Sequence, residues 1–362
     1  MLYTRLCDLL GVESPILNAP MSEEAGPELA IAISEAGGLG MLGHGVTALS
    51  DVREHFAMMK AATTKPFGTG LLFPLPDASA EAAAARQPKP IPPLPDFLHH
   101  LVGPEGLAEK VSNRREALEA ADRRLDIAIE NRVRVLTCGL GAPPRAIARA
   151  KAAGMIVIAL VGSVRAALAA AACGVDAIIA QGHEAGGHTG RASTLALVPK
   201  IVDSVDIPVI AAGGVVDGRT MAAMLLLGAD GVLVGTRFLA TPEARTAESH
   251  KRAIVDMVDD STLISRCFTG KPARVIRNAF TDAWRGHEAE IQPMPAQMDW
   301  MRPLVEPAKK QGRLDAANWP TGQGAMNVRR IMPAGDALRE ILDEARAALT
   351  RGGAIAARNS VE

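Results

Sequence analysis

Eight short apolar runs alternate with helix-length segments up to about residue 240, and this alternation is what most limits the possible folds. Nearly uniform apolar runs are typical of parallel strands, because both faces of a parallel sheet are covered. The pattern predicts an α/β fold, a closed TIM (β/α)8 barrel, with a doubly wound open sheet as the alternative. The predicted strands are residues 15–20, 38–43, 65–73, 133–139, 155–162, 176–182, 208–214 and 230–236.

The helix boundaries agree with this order. Asp217 is placed to cap a helix that stops at Gly228. Thr241-Pro242-Glu243 has the composition of an N-cap, a proline at the first helical position and an acid in the first turn. We therefore expect another helix to begin there, directly after the eighth strand.

Three segments extend this barrel, which we assign to residues 1–250. Residues 74–130 form an insertion between the third and fourth strands, and its first part is too rich in proline for regular structure. Residues 251–332 are irregular or helical and are expected to cover the active site. Residues 333–362 are expected to return to the barrel as a C-terminal helix and tail.

Composition excludes several classes of protein. The chain has 22% charged residues, a formal net charge of −1 and no long basic block, so nothing suggests a nucleic-acid partner. The four cysteines show no CxxC spacing, so no metal site or disulfide framework is expected. The first twenty residues resemble neither a signal peptide nor a membrane span, which predicts a cytoplasmic protein without membrane contact.

Two glycine-containing loops follow the seventh and eighth strands, where parallel barrels favour phosphate sites. Gly213, Gly214 and Gly235 would let main-chain amides approach an anion, and Thr236 would add a hydroxyl donor. The alternative is that these glycines only permit tight turns. The GxGxxG letters at 38–43 follow a helix rather than a strand, so they indicate barrel wall instead of a dinucleotide site.

The loop after the sixth strand holds the candidate catalytic group. Gln181 would hydrogen-bond a flat heterocycle, while Gly186 and Gly187 would let that ring lie against the main chain. His188 would then stand over the ring as an acid or base.

Three polar side chains near this mouth are ambiguous. His183 is interpreted as structural, since only its closeness in sequence supports a role. Glu184 would either orient an imidazole or face water. Cys138, near the end of the fourth strand, is interpreted as packing rather than as a reactive thiol.

Several motifs together closely resemble the nitronate monooxygenase family, formerly called 2-nitropropane dioxygenases, whose members are FMN-dependent TIM barrels with an extra, mostly helical segment. The motifs cover most of the chain. They are N-A-P-M (18–21), A-G-G-L-G (36–40), Q-G-H-E-A-G-G-H (181–188), A-A-G-G-V-x-D-G-R (211–219), G-A-D-G-V-L-V-G-T-R-F (228–238), W-P-T-G-Q (319–323) and R-x-x-P-A-G-D (330–336).

The resemblance implies positions for FMN. The main chain of Ala19, Pro20 and Met21 would lie along the flavin. Thr69 and Gly70 stand where many bacterial relatives carry an asparagine that touches FMN. The resemblance places Gln181 and Gly186 at the ring system, and Gly213, Gly214, Gly235 and Thr236 at the phosphate.

The resemblance also implies a reaction. His188 matches the catalytic base of fungal-type members, which takes the α-proton of a nitroalkane or stabilises its nitronate. FMN accepts an electron, O2 reoxidises the flavin, and a carbonyl compound and nitrite leave. Residues 137–141 read TCGLG where some bacterial members place a histidine, so this chain is closer to the fungal arrangement. We expect a small-molecule enzyme that is a monomer or a homodimer.

Three other functions remain open. FMN-dependent NAD(P)H reductases of the enoyl-thioester or quinone type resemble the same E-A-G-G-H pattern. A non-catalytic barrel that binds flavin or phosphate is a second alternative. A phosphate-sugar isomerase is the third, because the phosphate loops alone would serve it.

Overall fold

Eight parallel strands form a barrel in the computed structural model, which describes residues 2–73, 92–108, 120–259 and 261–357. The strand order is β1-β9-β8-β6-β5-β4-β3-β2, so the TIM barrel prediction is confirmed. The strands are β1 (Ile16–Asn18), β2 (Gly40–Gly43), β3 (Phe67–Leu72), β4 (Val135–Gly139), β5 (Ile156–Val161), β6 (Ala177–Gln181), β8 (Val209–Ala212) and β9 (Gly231–Val234). Each lies within the run that predicted it.

The helices in the described residues follow the strands around the barrel and then continue beyond it. They are α1 (Arg5–Leu10), α2 (Pro27–Glu35), α3 (Leu49–Ala62), α4 (Ala121–Glu130), α5 (Pro144–Ala152), α6 (Val164–Ala172), α7 (Thr194–Val202), α8 (Gly218–Leu226), α9 (Thr236–Leu239), α10 (Glu248–Val255), α11 (Ala279–Ala283), α12 (Ala296–Lys310) and α13 (Ala334–Ala357). None of these has the length and apolar character of a membrane-spanning segment.

The side chain of Asn18 closes the seam between β1 and β2. The main-chain N–H of Leu39 donates to the carbonyl of Ile16 (2.9 Å). Asn18 then extends the seam, since its Nδ2 donates to the carbonyl of Met41 (2.8 Å) and its Oδ1 accepts the Met41 N–H (2.7 Å). A fully buried amide thus replaces ladder bonds that the short strand β1 cannot make.

Alternate residues along each strand face opposite sides and build two apolar layers. The inner layer fills the barrel and packs on α1, which covers the end where the strands begin. This layer includes Leu6, Leu10, Leu17, Leu39, Met41, Val135, Ile158, Ile179, Ile210 and Leu233. The outer layer, between strands and helices, includes Leu42, Leu71, Leu136, Cys138, Val157, Ile178, Val209 and Val232. Only the carboxyl end of the barrel is left for a ligand.

A second apolar cluster, called here the second core, joins residues from 92–108 and 239–328 with Val216 from the loop after β8. It includes all three tryptophans of the chain, Trp284, Trp300 and Trp319. The indole Nε1 of Trp300 donates to the carbonyl of Pro93 (3.0 Å), which ties the two segments together.

The connection between β3 and β4 contributes to both regions. Residues 74–91 and 109–119 of the expected insertion lie outside the described residues. Leu98 and Leu101, in the short 3-10 helix Asp96–Leu101, pack in the second core. Helix α4, at the end of the segment, packs on the barrel beside α3 and α5.

A small antiparallel sheet joins the second core to the barrel. Strand β10 (Thr262–Ser265) pairs with β11 (Ala273–Ile276), and β11 pairs with the two-residue strand β7 (Gly187–His188). Because β7 belongs to the loop after β6, residues far apart in sequence meet over the mouth of the barrel.

The helix expected at Thr241-Pro242-Glu243 is absent, and that prediction is wrong. Residues 240–247 form turns, and α10 begins only at Glu248. The carboxylate of Glu243 instead accepts the main-chain N–H of Ala334 (3.1 Å to each oxygen), so it caps α13. Glu243, which local composition placed in the first turn of a new helix, therefore makes a tertiary contact with a helix about ninety residues later.

Candidate functional site

Small residues form the top of the inner layer at the carboxyl end of the barrel. Strand alternation continues the inner face from Leu17 to Ala19, from Val135 to Thr137 and from Leu233 to Gly235. Ala212 also belongs to the inner layer. Below them the barrel is filled by leucine, isoleucine and valine, so side chains occupy less of the interior at the mouth than beneath it.

Thr137 places a polar atom in this apolar wall. Its side chain is 2% exposed, and its hydroxyl has no hydrogen-bond partner among the described residues. A buried hydroxyl without a partner costs about 1–3 kcal/mol. A ligand with polar atoms in the mouth would supply the missing partner.

The segment 19–21 crosses the top of the strands. The N–H of Ala19 extends the ladder to the carbonyl of Val234 (2.8 Å), after which the chain turns. A Cβ on Gly70 would lie 2.4 Å from Cβ of Pro20, so only glycine admits this crossing. The structure therefore brings Ala19, Pro20, Met21 and Gly70 together at the mouth.

Thr69 faces the helix layer instead. It shares the outer face of β3 with Leu71, and its hydroxyl lies 2.9 Å from Nδ1 of the buried His44. Nε2 of His44 lies 3.0 Å from Nδ1 of His55 on α3. A contact between Thr69 and a ligand in the barrel would have to use its main chain.

Gln181 and His188 meet directly over the mouth. Gln181 follows Ile179 on the inner face of β6, and its Nε2 donates to the carbonyl of His188 (2.8 Å). The main chain of His188 also pairs with Ala273 of β11. Its ring Nδ1 lies 3.4 Å from the carbonyl of Pro272. A barrel side chain and a strand of the small sheet thus hold His188 in place.

Gly186 and Gly187 pack against residues 320–322, for which the sequence predicts no role in the site. A Cβ on Gly186 would lie 2.8 Å from main-chain atoms of Thr321 and Gly322. The N–H of Gly322 donates to the hydroxyl of Thr236 (2.9 Å). The W-P-T-G-Q motif was the available signal, since a threonine, a glycine and a glutamine follow a buried tryptophan there.

The two phosphate-type loops lie side by side. Gly213 and Gly214 have φ angles of 97° and 77°, which strongly favour glycine. Gly235 immediately precedes α9. Thr236 accepts a bond from Gly322, so the proton of its own hydroxyl is left to donate to a ligand.

The N-terminus of α8 is already satisfied. As predicted, Asp217 caps it, because its carboxylate accepts the N–H of Thr220 (2.8 Å). Glu344 of α13 accepts the N–H of Gly218 (2.9 Å). An anion at these loops would therefore rely on the glycine main chain and on Thr236 rather than on the end of α8.

Glu184 braces the loop that carries His188. Its carboxylate accepts the N–H of Thr194 (2.9 and 3.0 Å) and the Thr194 hydroxyl (2.8 Å), at the start of α7. Its main-chain carbonyl accepts the N–H of Gln323 (2.9 Å). The carboxylate thus holds a helix end, and it also lies 3.8 Å from Nδ1 of His183, so it stands beside an imidazole rather than facing open water.

Cys138 packs in the outer layer and is fully buried. Burial raises the pKa of its thiol to about 12, so the thiol stays protonated at neutral pH. The packing interpretation therefore fits the structure. In the described part of the chain, no three His, Cys, Asp or Glu side chains are grouped to hold a metal ion.

The mouth therefore suits a flat ligand with an anionic tail. Its inner wall is made of small residues and one unpartnered hydroxyl, and glycine turns lie at one side. His188 lies above it, and the segment 321–323 closes against Gly186. These features fit FMN in their donor chemistry.

Comparison with known proteins gives consistent matches over nearly the whole chain. The family model described as nitronate monooxygenase matches residues 3–344. A probable nitronate monooxygenase of Staphylococcus saprophyticus is 32% identical over 342 residues, which cover 91% of this chain and 94% of that protein.

Two solved structures are similar in both sequence and fold. Nitroalkane oxidase from Streptomyces ansochromogenes is 32% identical with a TM-score of 0.82, covering 96% of this chain and 99% of the other. FabK from Thermotoga maritima is 33% identical with a TM-score of 0.80, covering 98% and 100%.

Proposed function

The chain belongs to the nitronate monooxygenase family and is a flavin-dependent oxidoreductase, and we propose that it oxidises alkyl nitronates, and nitroalkanes through their nitronates. Oxygen is the oxidant, and the products are a carbonyl compound and nitrite. The solved nitroalkane oxidase supports this choice of substrate class. The observation that carries the proposal is the bond from the Gln181 side chain on β6 to the main-chain carbonyl of His188, which holds the His188 segment at the carboxyl end of the barrel.

FMN is the proposed cofactor, and when bound it supplies the electron-transfer chemistry. Its phosphate would be held by the turns after β8 and β9, where Thr236 has a proton to donate. Thr137 would offer its hydroxyl from the wall. The residues proposed to hold the cofactor are Ala19, Pro20, Met21, Thr69, Gly70, Gln181, Gly186, Gly187, Gly213, Gly214, Gly235 and Thr236, with Thr69 acting through its main chain.

His188 is the proposed base. An imidazole with a pKa near neutrality is suited to remove the α-proton beside a nitro group. The imidazolium that results offsets the charge of the nitronate. The loop that carries His188 is held by Gln181, by β11 and by the Glu184–Thr194 contacts, so its main chain is held in place before a substrate binds.

A reductase that uses NAD(P)H is the second candidate. FabK is as similar to this chain as the nitroalkane oxidase is, in identity and in coverage. The same histidine over the same flavin would serve either reaction. The two candidates are therefore best separated by offering a nitronate and NAD(P)H to the same preparation of the protein.

Anaerobic stopped-flow absorbance with the flavin-loaded protein provides that test. Ethylnitronate is expected to bleach the flavin band, while NADH and NADPH leave it unchanged over the same period. Free FMN mixed with ethylnitronate is the control for reaction off the protein. Bleaching by NADH or NADPH without any response to ethylnitronate would instead establish the reductase.

A further inference from the structure

A buried histidine on α10 contacts the segment that closes against the loop of His188. His250 is 2% exposed, and its Nε2 lies 2.7 Å from the hydroxyl of Thr321, which is fully buried. Its ring packs on the indole of Trp319, with ring centroids 5.0 Å apart. The proposed function gives His250 no role, so this contact at the edge of the site needs its own explanation.

The direction of the hydrogen bond between His250 and Thr321 follows from the surroundings of the imidazole. Burial lowers the pKa of His250 to about 3, so the ring is neutral at pH 7 and carries one N–H. Its Nδ1 has no hydrogen-bond partner within the described ranges, so the proton lies on Nε2, which has one. Nε2 therefore donates to Thr321, whose own hydroxyl donates to the carbonyl of Trp319 (3.3 Å). The Thr321 side chain is thus held on two sides.

The main chain after Thr321 reaches the proposed phosphate site. The N–H of Gly322 donates to the hydroxyl of Thr236 (2.9 Å). A Cβ on Gly322 would lie 2.9 Å from the carbonyl of Glu184 and 3.1 Å from the hydroxyl of Thr236, so the segment passes closely between them. Because the Gly322 N–H occupies one lone pair of Thr236, the position of this segment decides which way the Thr236 proton points.

We propose that His250 is a positioning residue for the cofactor. By fixing the 321–322 segment, it holds the hydroxyl of Thr236 with its proton toward the phosphate of FMN. The inference rests on the proposed function, because it needs an FMN phosphate at Thr236. Hydrogen bonds to a charged oxygen are short and sensitive to direction, so a small displacement of the segment would weaken this one. The loop of Gly186 has its own supports in Gln181 and β11, so the effect should be confined to the phosphate.

Flavin binding by variants tests this role, with FMN and riboflavin as paired ligands. The two share the ring system and the ribityl chain and differ only in the phosphate. His250→Leu is expected to weaken FMN binding by about 3- to 10-fold, measured by quenching of flavin fluorescence, because it loosens one hydrogen bond to a charged group. Riboflavin binding should stay nearly unchanged. His250→Gln keeps a donor amide at this position and should restore the affinity for FMN.

Three further variants keep the test independent of any folding defect in His250→Leu. Thr321→Val removes the acceptor of the His250 bond by a change of similar size and should reproduce the effect on FMN. Thr236→Val should weaken FMN binding at least about ten-fold, and adding His250→Leu to it should weaken binding no further, because both act on one contact. Ser249→Ala is the control, since it removes a hydrogen bond of the same helix, from Ser249 to the carbonyl of Gly312 (2.6 Å), and should match the parent protein with both flavins.

Equal weakening of FMN and riboflavin in His250→Leu and Thr321→Val would overturn the inference, since His250 would then support the fold alone. Unchanged FMN binding in both variants would overturn it as well. A parent protein that binds FMN no more tightly than riboflavin would remove the phosphate site, and the inference with it. Loss of the FMN preference in His250→Leu, together with no turnover of ethylnitronate by the flavin-loaded parent, would overturn the proposed reaction and leave the role of His250 standing.

Discussion

The barrel and the second core differ in the residue types that fill them and in how far apart those residues lie in sequence. The inner layer of the barrel is aliphatic, and its residues come from strands that follow one another along the chain. The second core holds all three tryptophans and joins residues from 92–108 with residues more than a hundred positions later. The barrel is therefore encoded by local repetition, whereas the second core depends on distant contacts.

The two regions also divide the proposed work. The barrel contributes the strand ends and glycine turns that suit a flavin. The second core supports β11, which pairs with His188, and Trp319, which precedes the segment 321–323. Replacing residues of the second core should therefore change which substrates reach the flavin more readily than whether the barrel folds.

The largest expected effect comes from Phe280→Ala. Phe280 is fully buried and stacks on Phe268 with ring centroids 4.5 Å apart, so truncation should cost about 3–5 kcal/mol of unfolding free energy. All three tryptophans lie in the second core, and their emission during urea unfolding reports on that core. The fluorescence transition should move to lower urea, while the far-UV circular dichroism transition of the barrel moves much less.

Phe56→Ala is the matched change in the barrel. Phe56 is fully buried on α3, and its loss should shift the fluorescence and dichroism transitions together, because the second core rests on the barrel. If Phe280→Ala also shifted both signals equally, the two regions would form one cooperative unit.

Gly70→Ala is expected to have the next largest effect. The added Cβ would lie 2.4 Å from Cβ of Pro20, so the 19–21 segment must shift, at about 1–3 kcal/mol. We expect about 5- to 150-fold weaker FMN binding, measured by quenching of flavin fluorescence, for a loss of that size. Gly353→Ala is the control, because nothing lies near its Cβ and alanine favours the helix. Full flavin affinity in Gly70→Ala would show that the crossing does not contact the cofactor.

Each region contains one buried histidine that makes stability depend on pH. Burial lowers the pKa of His44 in the barrel, and of His250 in the second core, from 6.5 to about 3. Between these values the unfolded chain binds more protons, so the free energy of unfolding falls as pH falls below 6.5. Each histidine should account for about 2 kcal/mol lost at pH 5.

The two histidines can be separated by substitution. Comparing urea midpoints at pH 7 and pH 5, His44→Gln should flatten the pH dependence of both transitions, and His250→Gln mainly that of the fluorescence transition. His100→Gln, at an exposed position, should leave both dependences as they are. An unchanged dependence in His44→Gln would mean that the barrel tolerates a charged imidazole at this position.

The barrel could be predicted because each of its elements is specified locally. The eight apolar runs, the cap at Asp217 and the glycine turns at Gly213 and Gly214 carry their signals within a few residues. The pairing of His188 with Ala273 has no local signal, because it depends on where a distant strand arrives. The helix predicted at Thr241-Pro242-Glu243 is absent for the same reason, because the Glu243 carboxylate accepts the main-chain N–H of the distant Ala334.

Side-chain direction set a second limit on what the sequence predicted at the site. The family resemblance places Thr69 near the cofactor, but strand alternation combined with the contact to His44 turns its hydroxyl outward. Glu184 stands between two histidines in sequence, yet its carboxylate accepts a hydrogen bond from the Thr194 hydroxyl.

Helix α12 contains Pro303 and Pro307, which local propensity treats as helix breakers, so this helix could not be predicted from its own sequence.

His188 is proposed to act at a flavin in the barrel mouth, and the most direct test is nitrite release from nitroethane by flavin-loaded His188→Asn. We predict that this variant retains its flavin spectrum and loses about 10²- to 10⁴-fold in kcat/KM, while His100→Asn matches the parent protein. Parental rates of nitrite release from His188→Asn, with flavin bound in full, would contradict the account.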